Sequence, residues 1–322
     1  MNKHQHGSQT LLDTPPQRIV VITTGGTIAC TAAPDGALVP TVNGHDLLAP
    51  VAARFDTADV VFDIRELSRL DSSSMTFADI DELRRAVEEA LGDPDVTGVV
   101  VTHGTDSMEE TAVALDTFHR DERPVVLTGA QLPYDHPESD GPLNLLDAIN
   151  VVTSPTARGI GVLIVFGRAV LPARGAVKWH TTDELAFATN APEEPTRADP
   201  VPPVDLADIT VHIISAYPGA PRELVDSALA SGADGLVIEA MGSGNIGTAL
   251  ATGVGDALRD GVPVVISTRV PRGNVSGSYG GAGGGATLNS LGAVGSTYFR
   301  AGQARVLLAI AIATGRHPAT FF

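Results

Sequence analysis

Cysteine is almost missing from this chain of 322 residues: Cys30 is the only one. No intrachain disulfide can form, and no cysteine-based zinc site can be assembled. Lysine is nearly as scarce. Only Lys3 and Lys178 carry side-chain amines, every other basic residue is arginine, and Lys3 lies in the polar N-terminal stretch. Arginine does not give up its proton near neutrality, whereas a lysine does where its surroundings disfavour the charge, so Lys178 is the one amine of the folded body suited to act as a base. Positive charge is in deficit overall, 21 Lys and Arg against 38 Asp and Glu, for a formal net charge of −17. Wrapping a nucleic acid or lying on an anionic membrane takes clustered cations, so the expected partner is a small molecule. Long apolar runs are absent too. The stretch Val306 to Ala313 falls far short of the roughly 20 residues a transmembrane helix needs. Met1 to Gln17 has no apolar segment of the signal-peptide kind and reads as a loose tail, which makes the chain cytoplasmic in expectation.

What is present is an alternation of buried strands and amphipathic helices. Arg18 to Thr24, Val60 to Leu67, Gly98 to Val101, Arg123 to Ala130 and Gly159 to Gly167 read as strands. Helices open at Thr76, where Thr76 and Asp79 form a capping box, at Ser107, where Ser107 and Glu110 have the same spacing, and at Asp140. Cys30 to Gly44 shows no period and reads as a loop suited to a lid. After a proline-rich stretch, strands at Ile209 to Ser215, Gly235 to Ala240 and Pro263 to Thr268 alternate with helices at Pro221 to Ser231, Ile246 to Arg259 and Gln303 to Thr314. The fold class is therefore α/β: a larger N-terminal, mainly parallel-sheet domain over 18–191, a linker over 192–208, and a smaller Rossmann-like α/β domain over 209–322. Gly277 to Gly285 reads as flexible.

Three turns that follow strands present hydroxyls: Thr27, then Ser72 with Ser73, then Thr105 beside Asp106. Each alone is an ordinary turn or cap residue. Together at strand ends, where open parallel sheets place ligands, they form a candidate site for acyl transfer, with a threonine as nucleophile and Lys178 as proton acceptor. His103 reads as a structural hydrogen-bonding residue and Cys30 as a small buried filler. The rival is Gly242-Ser243-Gly244-Asn245-Ile246-Gly247, which matches the dinucleotide fingerprint between a strand and a helix. The next strand ends in Thr268-Arg269 rather than an acid, so this reading predicts an oxidoreductase that takes NADP.

Thr24-Gly25-Gly26-Thr27-Ile28 and His103-Gly104-Thr105-Asp106-Ser107-Met108-Glu109-Glu110-Thr111 together resemble the bacterial L-asparaginase/glutaminase family. The likeness continues through Asp140-Gly141-Pro142-Leu143-Asn144-Leu145, Arg174 with Lys178, Gly-Ser-Gly-Asn, Arg269-Val270-Pro271 and Ala304 to Leu308. It implies an amidohydrolase that converts asparagine to aspartate and ammonia without metal or organic cofactor. By the same resemblance Thr27 is the nucleophile, and Thr105, Lys178 and Asp106 move the protons. Ser72 and Ser73 hold the substrate's α-carboxylate, and Asp106 faces its α-ammonium. Asn245 reaches into a neighbouring subunit's pocket in a homodimer or homotetramer, the nearby glycines letting two chains approach. Two departures stand out. Leu38 occupies the place of the family's lid tyrosine, and no Asp or Glu follows Asp260, where some members have a glutamate for the partner's site. The first suggests a second reading, a weakly active relative that binds an amino acid.

Overall fold

The computed structural model describes residues 15–193 and 197–322. The tail expected over 1–17 lies outside the described residues up to position 14, and Gln17 already belongs to the first strand. In chain order the first half runs β1 (Gln17–Gly25), β2 (Cys30–Ala32), β3 (Leu38–Pro40), α1 (Gly44–Ala52), β4 (Val60–Leu70), α2 (Phe77–Leu91), β5 (Val96–Thr102) and α3 (Met108–Phe118). It continues through β6 (Val125–Thr128), α4 (Gly141–Thr153), β7 (Val162–Phe166), β8 (Ala169–Pro172), β9 (Ala176–Lys178) and β10 (Phe187–Thr189). The second half holds β11 (Val211–Ser215), α5 (Glu223–Ala230), β12 (Gly235–Ala240), α6 (Thr248–Arg259), β13 (Val264–Thr268), α7 (Gly285–Ser290), β14 (Val294–Gly295) and α8 (Ala301–Thr314).

Strands β4-β1-β5-β6-β7-β8 form one sheet, parallel except for β8, and β11-β12-β13-β14 form a second, parallel throughout. The β-branched runs follow from burial on both faces. Val20 and Ile22 of β1 pack with Leu83 of α2 and Met108 and Leu115 of α3, while Ile19 and Val21 pack with Leu47 of α1 and Leu145 and Ile149 of α4. Alternate residues of one strand thus feed two cores, so the run Ile19 to Ile22 is apolar throughout. Helix α8 is apolar on nearly every side, Gln303 and Arg305 apart, because it is enclosed. It packs against Val113, Ala114 and Phe118 of α3 on one side and Val237 and Val265 of the small sheet on the other.

Four local expectations change. The stretch after Cys30 is a short hairpin, β2 against β3, closed at Asp35-Gly36 with Gly36 at φ +85°. Its three-residue arms are too short to show a period, yet Asp-Gly is the turn pair such a hairpin favours. The linker is strapped down: Val201 N–H donates to Thr117 O, and Asp81 accepts the N–H groups of Leu206 and Ala207 at 2.7 and 3.0 Å. The glycine-rich stretch, read as flexible, leads into α7 and lies against the turn before α6, where a side chain on Gly283 would overlap the Ile246 carbonyl. Finally, the capping box at Thr76 forms, but the one at Ser107 does not: the Ser107 hydroxyl donates to Ser72 O at 2.7 Å. A tertiary partner has displaced the local one.

Candidate active site

The connection from β1 runs to β4 on one side, and the next crosses to β5 on the other, so β1 and β5 border the switch point of the large sheet. A crevice at the carboxyl ends of those strands is where such sheets bind ligands. The turns after β1, β4 and β5 meet there, and two glycines make the meeting possible. A Cβ on Gly26 would sit on the Gly104 Cα and N, and one on Gly104 would collide with the Ser72 hydroxyl. Thr27 and Thr105 directly follow these glycines. The Asp106 N–H donates to Ser72 Oγ at 3.1 Å, and the Thr24 hydroxyl ties β1 to Thr102 O at 3.0 Å.

Lys178 arrives from another direction, at the end of β9, whose pairing with β10 presents it to the crevice. Its Nζ donates to Thr105 Oγ1 at 2.8 Å and to Asp106 Oδ1 at 2.7 Å. The side chain keeps 21% exposure, enough for the amine to meet an incoming molecule. Its backbone N–H donates to the Glu109 carboxylate, in the first turn of α3. Burial pushes Glu109 well above the ordinary carboxylate range, and neighbouring Glu110 raises it further. Burial raises Glu110 in the same way.

The remaining candidates sort cleanly. Ser72 is buried and bonded within the site, whereas Ser73 is exposed at its rim. His103 is fully buried, its Nδ1 2.7 Å from Gly104 O, and burial pulls it down to about 4, so the ring is neutral and braces the turn. Cys30 is buried with its thiol toward Gly26 O and is raised by desolvation, which suits a filler. Asn245 lies on the turn between β12 and α6. Its Oδ1 accepts from Gly285 N–H at 3.4 Å, and among the described residues it bonds to none of Thr27, Ser72, Thr105, Asp106 or Lys178. The fingerprint around it is used internally. The Ile246 N–H, one of those a pyrophosphate would claim, donates to Gly283 O at 2.9 Å, and a Cβ on Gly285 would press on the Gly277 Cα and the Ser276 carbonyl. The NADP expectation is therefore withdrawn. Among the described residues, no group of three His, Cys, Asp or Glu is arranged to hold a metal ion.

One residue of this region escaped the sequence reading. Gln303, on α8, is fully buried and bonds to both Glu109 and the stretch that precedes Lys178. The available signal was an amide two residues before Arg305 in a helix, Ala301 to Thr314, that is otherwise apolar up to its last residue.

Hydroxyls, an amine and a carboxylate gathered at the switch point of a parallel sheet are the equipment of an α/β amidohydrolase. Comparison with known proteins agrees. Residues 18–199 match the family described as asparaginase, N-terminal, and residues 210–321 match the glutaminase/asparaginase C-terminal domain. A probable L-asparaginase of Deinococcus radiodurans is 36% identical, covering 92% of this chain and 94% of that protein. The L-asparaginase of Bacillus licheniformis is 29% identical over 92% and 96%. A crystal structure of a probable cytoplasmic L-asparaginase from Campylobacter jejuni superposes with a TM-score of 0.80 at 28% identity, covering 95% of this chain and 98% of that one. The chain belongs to the asparaginase family.

Proposed function

We propose that this protein hydrolyses the side-chain amide of L-asparagine, and to some extent L-glutamine, to the acid and ammonia. The observation that carries the reading is the contact of Lys178 Nζ with Thr105 Oγ1 at 2.8 Å and Asp106 Oδ1 at 2.7 Å, beside the turn that bears Thr27. The relatives named L-asparaginase, similar over nearly the whole chain, support it. Thr27 Oγ1 attacks the amide carbon, and backbone N–H groups beside Thr105 stabilise the oxyanion, a donor of this kind being worth roughly 2.7–4 kcal/mol. The proton that Thr27 gives up passes to Thr105, whose own proton passes to the Lys178 amine. As the C–N bond breaks, a proton returns to the leaving nitrogen and ammonia departs, leaving Thr27 acylated. Water attacks the ester, its proton follows the same path and is returned to Thr27 Oγ1 as the bond to the acyl carbon breaks, and aspartate is released. Ser72 and Ser73 donate to the α-carboxylate, and Asp106 faces the α-ammonium, since a zwitterion requires neutral donors at one end and an anion at the other.

In this reading Asn245 completes the site of a neighbouring copy, in a homodimer or homotetramer. The protein works in the cytoplasm, to which a lone buried thiol without disulfides is suited. An ammonia-release assay on asparagine tests the proposal. Activity is expected in the wild type and its loss in Thr27→Ala and in Lys178→Met. Undiminished turnover in either variant refutes the assignment, and stabilisation by asparagine without ammonia release replaces catalysis with binding alone.

A further inference from the structure

Thr105 and Lys178 reach each other from supports that belong to different parts of the fold. Thr105 sits on the large sheet, between β5 and α3. Lys178 ends β9, and the stretch Ala173 to Gly175 feeding that strand is held partly by β7, where the Ala173 N–H donates to Val162 O, and partly by the C-terminal domain. Arg174 donates to Phe321 O at 2.8 Å and lies over the Phe299 ring at 4.9 Å. The spacing between hydroxyl and amine therefore depends on how the second domain docks on the first, as well as on the bond of the Lys178 N–H to the Glu109 carboxylate.

One side chain touches both supports. The Gln303 amide nitrogen donates to Glu109 O at 3.0 Å, in the first turn of α3, and to Ala173 O at 2.7 Å. Its amide oxygen accepts from Gly175 N–H at 2.9 Å. Both donor hydrogens and the acceptor are used, with no exposure to solvent. We propose that Gln303 is a positioning residue for the amide hydrolysis: it fastens the Lys178 strand to the turn carrying Thr105 and so holds the amine at hydrogen-bond distance from the hydroxyl. The inference rests on the asparaginase reading. Ser72 and Asp106 lie on turns of the large sheet, so substrate affinity depends less on this tie than proton transfer does. A displacement near 1 Å is enough to lower turnover by up to about a hundredfold.

Two substitutions separate a positioning role from a merely structural one. Gln303→Met keeps size and removes all three bonds, whereas Gln303→Lys keeps donors for the Ala173 and Glu109 carbonyls and loses only the acceptor. Steady-state kinetics on asparagine are measured well below each variant's melting midpoint, with circular dichroism to confirm folding. The expected result is a kcat lowered about 10- to 100-fold in Gln303→Met, with KM changed less than about threefold, and substantial recovery of kcat in Gln303→Lys. A second measurement needs no substrate. Acetylation of Lys178 by acetic anhydride, followed peptide by peptide in a mass spectrometer, should be several-fold faster in Gln303→Met, because the amine is released from Thr105 and Asp106. Wild-type kcat in folded Gln303→Met, or a Lys variant as slow as the Met variant, overturns the proposal, as does an unchanged acetylation rate. A wild-type protein that releases no ammonia, but whose Lys178 acetylation still responds to Gln303, refutes the proposed reaction and leaves the tie standing.

Discussion

Gly104 allows two reactive side chains to share a crevice because it has none of its own. A methyl group there would meet the Ser72 hydroxyl at 2.5 Å and its Cβ at 2.8 Å, and neither can retreat without pulling the Asp106 N–H off its acceptor. Gly104→Ala should fold and lose more than about tenfold in kcat/KM for asparagine, a loss that kinetics would register. Buried titratable groups set the pH behaviour. His103 is held at about 4 against an ordinary 6.5, so its contribution to stability is full above about pH 6.5 and disappears as pH falls through about 4. The shift corresponds to about 3 kcal/mol. Urea unfolding at pH 7 and pH 4.5 should show a steeper loss in the wild type than in His103→Asn. Glu109 has the opposite sense: its carboxyl is raised by burial, so the stability it allows at low pH is eroded as pH rises through the elevated value. Glu109→Gln should therefore flatten the decline of the melting midpoint between about pH 4.5 and about pH 8.

At the scale of elements, local and tertiary signals compete. In α2 they agree: Thr76 accepts from Asp79 N–H, and Asp79 accepts from Thr76 N–H at 2.7 Å. Thr76→Ala should cost about 1 kcal/mol in chemical denaturation. At α3 the same spacing yields to Ser72, because a hydroxyl at the crevice gains more by bonding across to another turn than by closing its own helix. The β2–β3 hairpin shows the limits of periodicity. It places Leu38 at 47% exposure on the lid side of Thr27 with no hydroxyl to offer. If a lid hydroxyl assists Thr27, Leu38→Tyr should raise kcat for asparagine, and a kcat at or below wild type would show that this lid works without one.

For the whole molecule, α8 and the strapped segment before the second sheet make one body of two layered halves, with a shared apolar core and Gln303 inside it. The proposed role of Asn245 demands a second copy, which gives a test free of structural detail. Thr105→Ala and Asn245→Ala, each inactive alone, should recover activity when unfolded together and reassembled, because a mixed dimer holds one site with both residues intact. Mixtures as inactive as the separate variants would place Asn245 outside its neighbour's site.

Strand identity, helix faces and the α/β class were legible in the residues themselves, since burial on both faces writes continuous β-branched runs and a buried helix face writes a period of 3.6. Thr27, Ser72 and Thr105 were legible as strand-end hydroxyls, and Lys178 by its isolation among arginines. What tertiary structure alone decided was which of these groups touch, whether Ser107 caps its helix, that the Ile246 N–H is already taken by Gly283 O, and that a glutamine on the C-terminal helix bonds to both Glu109 and the stretch before Lys178. The reason is physical. Patterning along a chain records burial, which each residue experiences singly, whereas a hydrogen bond between residues far apart in sequence depends on two backbones arriving at the same place.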